Sequence, residues 1–196
     1  MRNINTICNI LIIALSAVII NGCAGVVVGG AATGVAVVHD RRSAGTVIDD
    51  QGMNWKVSKA IFDDKELSSP SHINVTVYNS AILLSGETPS EDLKIRANAI
   101  AAQTSGNKKI YNELVITSPT SLTSRTNDTY ITTKIKTALL DIGGIEGFDV
   151  TRVKVVTENS VVYLMGLLTS QEADAVTEKA RNVSGVTKVI RLFEYL

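Results

Sequence analysis

Apolar positions change their spacing several times along the chain, and each change marks an element. Ile10 to Ile20 is a nearly unbroken apolar run, too short to span a bilayer. A second apolar stretch, Ala24 to Val38, is rich in glycine and also short for a span. Further on, the spacing becomes amphipathic. Asn54 to Asp63 reads as a helix, with Met53, Val57, Ala60 and Ile61 on its core side. Ile73, Val75 and Val77 then alternate with Asn74, Thr76 and Tyr78, the spacing of a half-buried strand. Asn79-Ser80 turns the chain into a second strand, Ala81 to Glu87. Pro89 or Ser90 opens a helix whose first turn holds Glu91 and Asp92, where negative charge suits the helix dipole. Gly106 ends that helix, and Lys109 to Ile116 reads as a third strand.

The same order then recurs. LLSGETPSEDLKIRANAIAAQTSG at 83–106 matches LMGLLTSQEADAVTEKARNVSG at 164–185, with Gly86 aligned to Gly166 and Gly106 to Gly185. A period of about eighty residues means two copies of one small domain rather than a solenoid. In the second copy a helix begins at Asp128, strands follow at Val153 to Thr157 and Val161 to Leu168, a helix at Ser170 to Val183 and a strand at Thr187 to Tyr195. SPTSLTSRTN, residues 118–127, is polar and aperiodic and reads as a linker. Each copy is thus an αββαβ unit of α+β class, with a small mixed three-stranded sheet packed against two helices. The second helix joins strands two and three, so that crossover is expected to be right-handed. Gly86 and Gly166, late in their strands, should allow close backbone approach.

Charge changes the picture by exclusion. Lys plus Arg and Asp plus Glu each number 19, so no global field draws in nucleic acid. Two cysteines, one of them (Cys8) in the N-terminal segment expected to be removed, leave no disulfide framework. Arg2 followed by the run to Ile20 has the build of a secretory signal. The Ile20-Asn21-Gly22-Cys23 at its end resembles the lipobox of bacterial lipoproteins. That resemblance implies cleavage after residue 22 and a covalent lipid on Cys23, which would anchor the mature chain. Residue 24 is alanine rather than aspartate, and by resemblance to the sorting rule of Gram-negative lipoproteins this implies the outer membrane, at its periplasmic face. Residues 23–45 read as the lipidated cysteine and a tether along the membrane surface, although the Gly25-x-x-x-Gly29 and Gly30-x-x-x-Gly34 spacings could also pack helices in lipid.

The two units resemble the BON domain, and they divide the rest of the chain into 46–117, a linker at 118–127, and 128–196. DRRSAGTVIDDQ at 40–51, NDTYITTKIKTALL at 127–140 and VKVVTENSVVYLMGLLT at 153–169 extend the likeness to dual BON-domain outer-membrane lipoproteins. The resemblance implies binding of anionic phospholipid such as phosphatidylglycerol, a place at division sites, and support for envelope integrity and the outer-membrane protein assembly machinery.

No catalytic constellation emerges. His39 and His72 fall in the tether and a loop without a cysteine in reach, too few ligands for a metal, and no glycine-rich phosphate loop follows a strand. No enzyme activity and no cofactor beyond the lipid on Cys23 are expected. The informative element is the helix at 128–142. At about 100° per residue, Ile131, Ile135, Ala138, Leu139 and Ile142 form its core side. Tyr130, Thr133, Thr137 and Leu140 lie opposite, flanked by Lys134 and Lys136. Tyrosine at headgroup level, leucine at the acyl boundary and lysines near anionic lipid suit a membrane surface. The competing readings are scattered exposed apolar residues, a face turned toward the other domain, or a protein interface. In the first copy Trp55 and Phe62 fall outward and are candidate interface residues, toward the second copy or a protein partner, with a second lipid contact or plain packing as the other readings. The rival reading of the whole chain is therefore a periplasmic scaffold that binds the assembly machinery, with lipid only as its anchor.

Overall fold

The structure, a computed structural model, describes residues 40–106 and 108–196. The signal segment, Cys23, most of the tether and His39 lie outside the described residues. Those described belong to one compact unit. Among the described residues, each sheet has an apolar core of its own and a third cluster joins the two sheets, all inside this unit.

The first domain runs α1 (Ala44–Asp63), α2 (Lys65–Ser68), β1 (His72–Tyr78), β2 (Ala81–Thr88), α3 (Glu91–Ser105), β3 (Ile110–Asn112) and β4 (Val115–Ile116). The second runs α4 (Leu122–Leu140), a 3-10 turn (Val150–Arg152), β5 (Val153–Glu158), β6 (Val161–Leu168), α5 (Ser170–Arg181) and β7 (Lys188–Tyr195). In each, the second strand is central, antiparallel to the first and parallel to the last. The expected mixed sheets are therefore present. In the first domain the last strand is broken in two, where the Asn112 side chain turns back to accept from the Leu114 N–H.

Both long N-terminal helices exceed their expected length. Ser43 caps α1 by accepting from Thr46 N, so the helix begins at Ala44, ten residues before the expected start, and the tether ends sooner than residue 45. Ser121 caps α4 by accepting from Ser124 N, so the last six residues of the expected linker are helical. These added turns bury no apolar side chain, which is why apolar spacing did not reveal them. In α1 they bury an aspartate, Asp50, and in α4 they lead into one at the expected start, Asp128. Asp50 accepts from both Asn79 N and Ser80 N, at 2.6 and 2.8 Å. Asp128 does the same for Asn159 N and Ser160 N, both at 2.8 Å. All four turn residues have positive φ, the geometry of a two-residue hairpin turn, here without glycine. A buried carboxylate under each turn offsets that strain and locks helix to hairpin.

Gly86 and Gly166 meet the expectation of close approach. A Cβ on Gly86 would sit 2.1 Å from the His72 carbonyl oxygen, and one on Gly166 2.8 Å from that of Arg152.

Each sheet is covered on one face by its own helices. Val57, Ile61, Ile82, Leu84, Ala97 and Leu114 fill the first core, and Ile131, Ile135, Leu139, Val155, Leu164 and Val176 are among those filling the second. The other faces pack against each other. Tyr78, Leu83, Tyr163 and Met165 form a shared cluster, each 5% exposed or less. Burying such side chains is worth about 1.5–3 kcal/mol apiece, enough to hold the domains together. Sheets covered on both faces explain why β2 and β6 are buried almost throughout.

The chain before α1 closes the seam. Arg41 donates two bonds to the Glu172 carboxylate and a third to Leu167 O. Arg42 lies between Asp40 and Asp50, with its guanidinium 3.9 Å above the Tyr78 ring. The end of the expected tether is thus bound to both domains.

Candidate lipid-binding face

The outer side of α4 carries the candidate face, and helical spacing brings the expected residues together there. Its inner side is fixed by Ile131, Ile135 and Leu139 in the core and by Asp128 beneath its turn. Tyr130 and Leu140 consequently point away, 62% and 68% exposed. Thr133, Lys136 and Thr137 are exposed beside them. Lys134 is partly covered. Its ammonium donates to Ser184 O at 2.6 Å and lies 5.1 Å from the centre of the Tyr130 ring.

The threonines make this face more apolar than its composition suggests. Thr129, Thr133 and Thr137 each donate their hydroxyl to the carbonyl four residues back, at 3.0–3.1 Å. With the hydroxyls turned into the helix, their methyl groups are left for the surface. Leu122, 77% exposed, lies five turns from Leu140 on the same side and lengthens the stripe to about 27 Å. Sequence reasoning missed Leu122 because it lay in the expected linker. The serine cap at Ser121 was the signal that could have placed it on the helix.

The positive flank reaches past the helix. Burial, with the nearby charges of Lys136 and Arg42, holds the Lys154 ammonium below its usual range.

Trp55 and Phe62 do not join this face. They lie on α1, each 66% exposed, and the domain seam is formed by the sheets instead. Their role as a contact with the second copy is thereby corrected, because the αββαβ unit leaves one sheet face bare and the two bare faces pair. Matching Asp50 to Asp128 puts Phe62 at the position of Leu140 and Trp55 at that of Thr133. With Ile48, 70% exposed, they form a second stripe of three apolar residues spaced by seven.

His72 is also corrected. Expected in a loop without ligand partners, it is the first residue of β1, paired in register with Glu87 and facing Glu158 of the second domain. Its partners lie 15 and 86 residues away, beyond any spacing rule.

Residues 49–118 and 127–196 each match the BON domain. The chain belongs to the BON-domain family. Among BON-domain relatives, it is 36% identical over 187 residues to "Outer membrane lipoprotein DolP" of Haemophilus influenzae, covering 95% of each chain. It is 39% identical over 157 residues to a protein named "21 kDa hemolysin" of Actinobacillus pleuropneumoniae, covering 80% of this chain and 79% of that one. A solved structure of CdsD, a structural protein of the type III secretion system of Chlamydia trachomatis, aligns at 12% identity and a TM-score of 0.29, covering 71% of this chain and 92% of that one. The chain is thus a dual BON-domain lipoprotein of the DolP type, associated with the outer membrane. No helix among the described residues is long and apolar enough to cross a membrane.

Proposed function

We propose that this protein is a lipid-anchored, non-enzymatic reader of anionic phospholipid. Cys23 supplies the anchor at the periplasmic face of the outer membrane. The α4 face of the second BON domain supplies a headgroup-sensitive contact that concentrates the protein where such lipid is enriched, including the division site, and so supports outer-membrane integrity. The observation that carries this reading is the continuous exposed stripe of Leu122, Tyr130, Leu140 and the threonine methyls beside Lys134 and Lys136. Apolar side chains enter the acyl boundary, and each lysine near anionic lipid adds about 1 kcal/mol. An anchor alone gives no position within a membrane; a second, charge-sensitive contact does.

Flotation of residues 40–196, which lack the anchor, tests it. These residues should float with vesicles containing phosphatidylglycerol and not with neutral ones, and the interaction should weaken as salt rises. Absence of flotation with either would reject the reading.

A second reading rests on α1. Its Ile48, Trp55 and Phe62 stripe has a tryptophan anchor and suits a protein partner, of which the outer-membrane protein assembly machinery is the candidate. Binding of that kind would survive without lipid.

A further inference from the structure

At one end of the domain seam, His72 and Glu87 from the first domain meet Glu158 from the second. His72 Nδ1 is 3.2 Å from Glu87 Oε2 and 4.0 Å from Glu158 Oε2, and one donor atom from each residue lies within 4.8 Å of the others. Both carboxylates are buried, at 2% and 8% exposure. We propose that His72, Glu87 and Glu158 form a binding site for a divalent transition cation of the zinc class, bridging the two BON domains.

The donor set fits. One imidazole nitrogen and two carboxylate oxygens are ligands that zinc takes at about 2.0–2.2 Å, in three-ligand sites that leave a fourth position open. Side-chain shifts of about 1 Å would bring the three atoms to such a geometry. His72 and Glu158 also line a cleft of about 390 Å³, together with Asn74, Thr132 and Thr157 among others. That cleft gives an ion an entry path.

The supporting shell is in place. Asn74 Nδ2 donates to the second oxygen of Glu158, and Thr120 donates to Glu87 through both its N–H and its hydroxyl at 3.3 Å. Such bonds orient ligating carboxylates. An independent observation points the same way. Ser85 Oγ is buried without a partner, on a residue that is 0% exposed. Ser85 lies on the same face of β2 as Glu87 and opposite Asn74, so a polar group beside the ligands awaits a water or an ion's hydration shell.

Charge argues for the ion as well. Two buried carboxylates face one imidazole, so protonating His72 would neutralise only one of them. Arg125 and Lys136 line the cleft but form no ion pair with Glu158. A divalent cation would neutralise both acids and tie the second domain to the first.

Residues 40–196 contain His72 as their one histidine and no cysteine, which makes the test direct. Chelator-treated protein is titrated with zinc chloride by calorimetry, while the His72 imidazole is followed by long-range ¹H–¹⁵N NMR. The expected result is one equivalent bound, a shift at Nδ1 and a higher Tm. Glu158→Gln and His72→Gln should each lower affinity at least about tenfold. The imidazole signal in the unaltered protein decides the matter even if a variant unfolds. Absence of binding overturns the proposal, as does binding that leaves the imidazole unmoved or is unchanged in both variants.

Discussion

The first helices of the two domains, α1 and α4, make a controlled comparison within one chain. Both carry a buried aspartate beneath a hairpin turn, at Asp50 and Asp128, and both bury an aliphatic row against their sheet. Their outer faces differ. That of α1 presents Ile48, Trp55 and Phe62, with Lys65 capping the Phe62 ring at 3.6 Å and Lys59 paired to Asp63. That of α4 presents Leu122, Tyr130, Leu140 and a row of threonine methyls beside Lys134 and Lys136. Duplication kept the scaffold and changed the exposed stripe. A bulky aromatic anchor suits a pocket in a partner, whereas a shallow stripe edged with lysine suits a lipid surface.

The sharpest breaks of this comparison strike the shared scaffold. Gly86→Ala places a Cβ 2.1 Å from a carbonyl at a φ of 114°, and should cost about 3 kcal/mol or more in urea unfolding. Gly166→Ala meets its carbonyl at 2.8 Å and should cost about 1–3 kcal/mol. Equal costs would mean the two strand ends are not built as described. Next come the turn aspartates. Asp128→Ala leaves two turn N–H groups unpaired and should cost about 2–4 kcal/mol. Asp50→Ala should cost more, since Asp50 also holds Arg42.

A smaller effect concerns the Arg41 strap to Glu172 of the second domain. Burial raises the Glu172 pKa, but the hydrogen bonds from Arg41 and Thr169 outweigh it and leave the carboxyl below its ordinary value of 4.5. A depressed folded pKa contributes stability above the unfolded value, and that stability is lost as pH falls through the folded one. Glu172→Gln should therefore destabilise at neutral pH by about 1–3 kcal/mol. The gap to the unaltered protein should close as pH drops below 4.5. The smallest effect is expected from Lys136→Ala, about 1 kcal/mol of anionic-lipid binding with no change in stability.

Much of this was legible from residue spacing. The repeat, the strand order and the outward set Tyr130, Thr133, Thr137 and Leu140 follow from periodicity, because each domain buries a regular aliphatic row. The early turns of α1 and α4 were not legible, since those of α1 bury only Asp50 and those of α4, residues 122–127, bury no side chain. The seam was hidden for a related reason. Thr76 and Tyr78 look like solvent-facing positions of a half-buried strand, yet both are buried, Tyr78 in the cluster shared with the second domain. The His72, Glu87 and Glu158 cluster needs both folds and their packing before its members meet.

The central claim is that α4, and not α1, touches lipid, and one paired flotation experiment tests it most directly. Leu140→Glu and Phe62→Glu change equivalent positions on the two helices, both exposed enough for the fold to tolerate a charge. With phosphatidylglycerol vesicles, Leu140→Glu should abolish flotation of residues 40–196 and Phe62→Glu should leave it unchanged. Flotation that survives Leu140→Glu, or is lost with Phe62→Glu instead, would contradict the account.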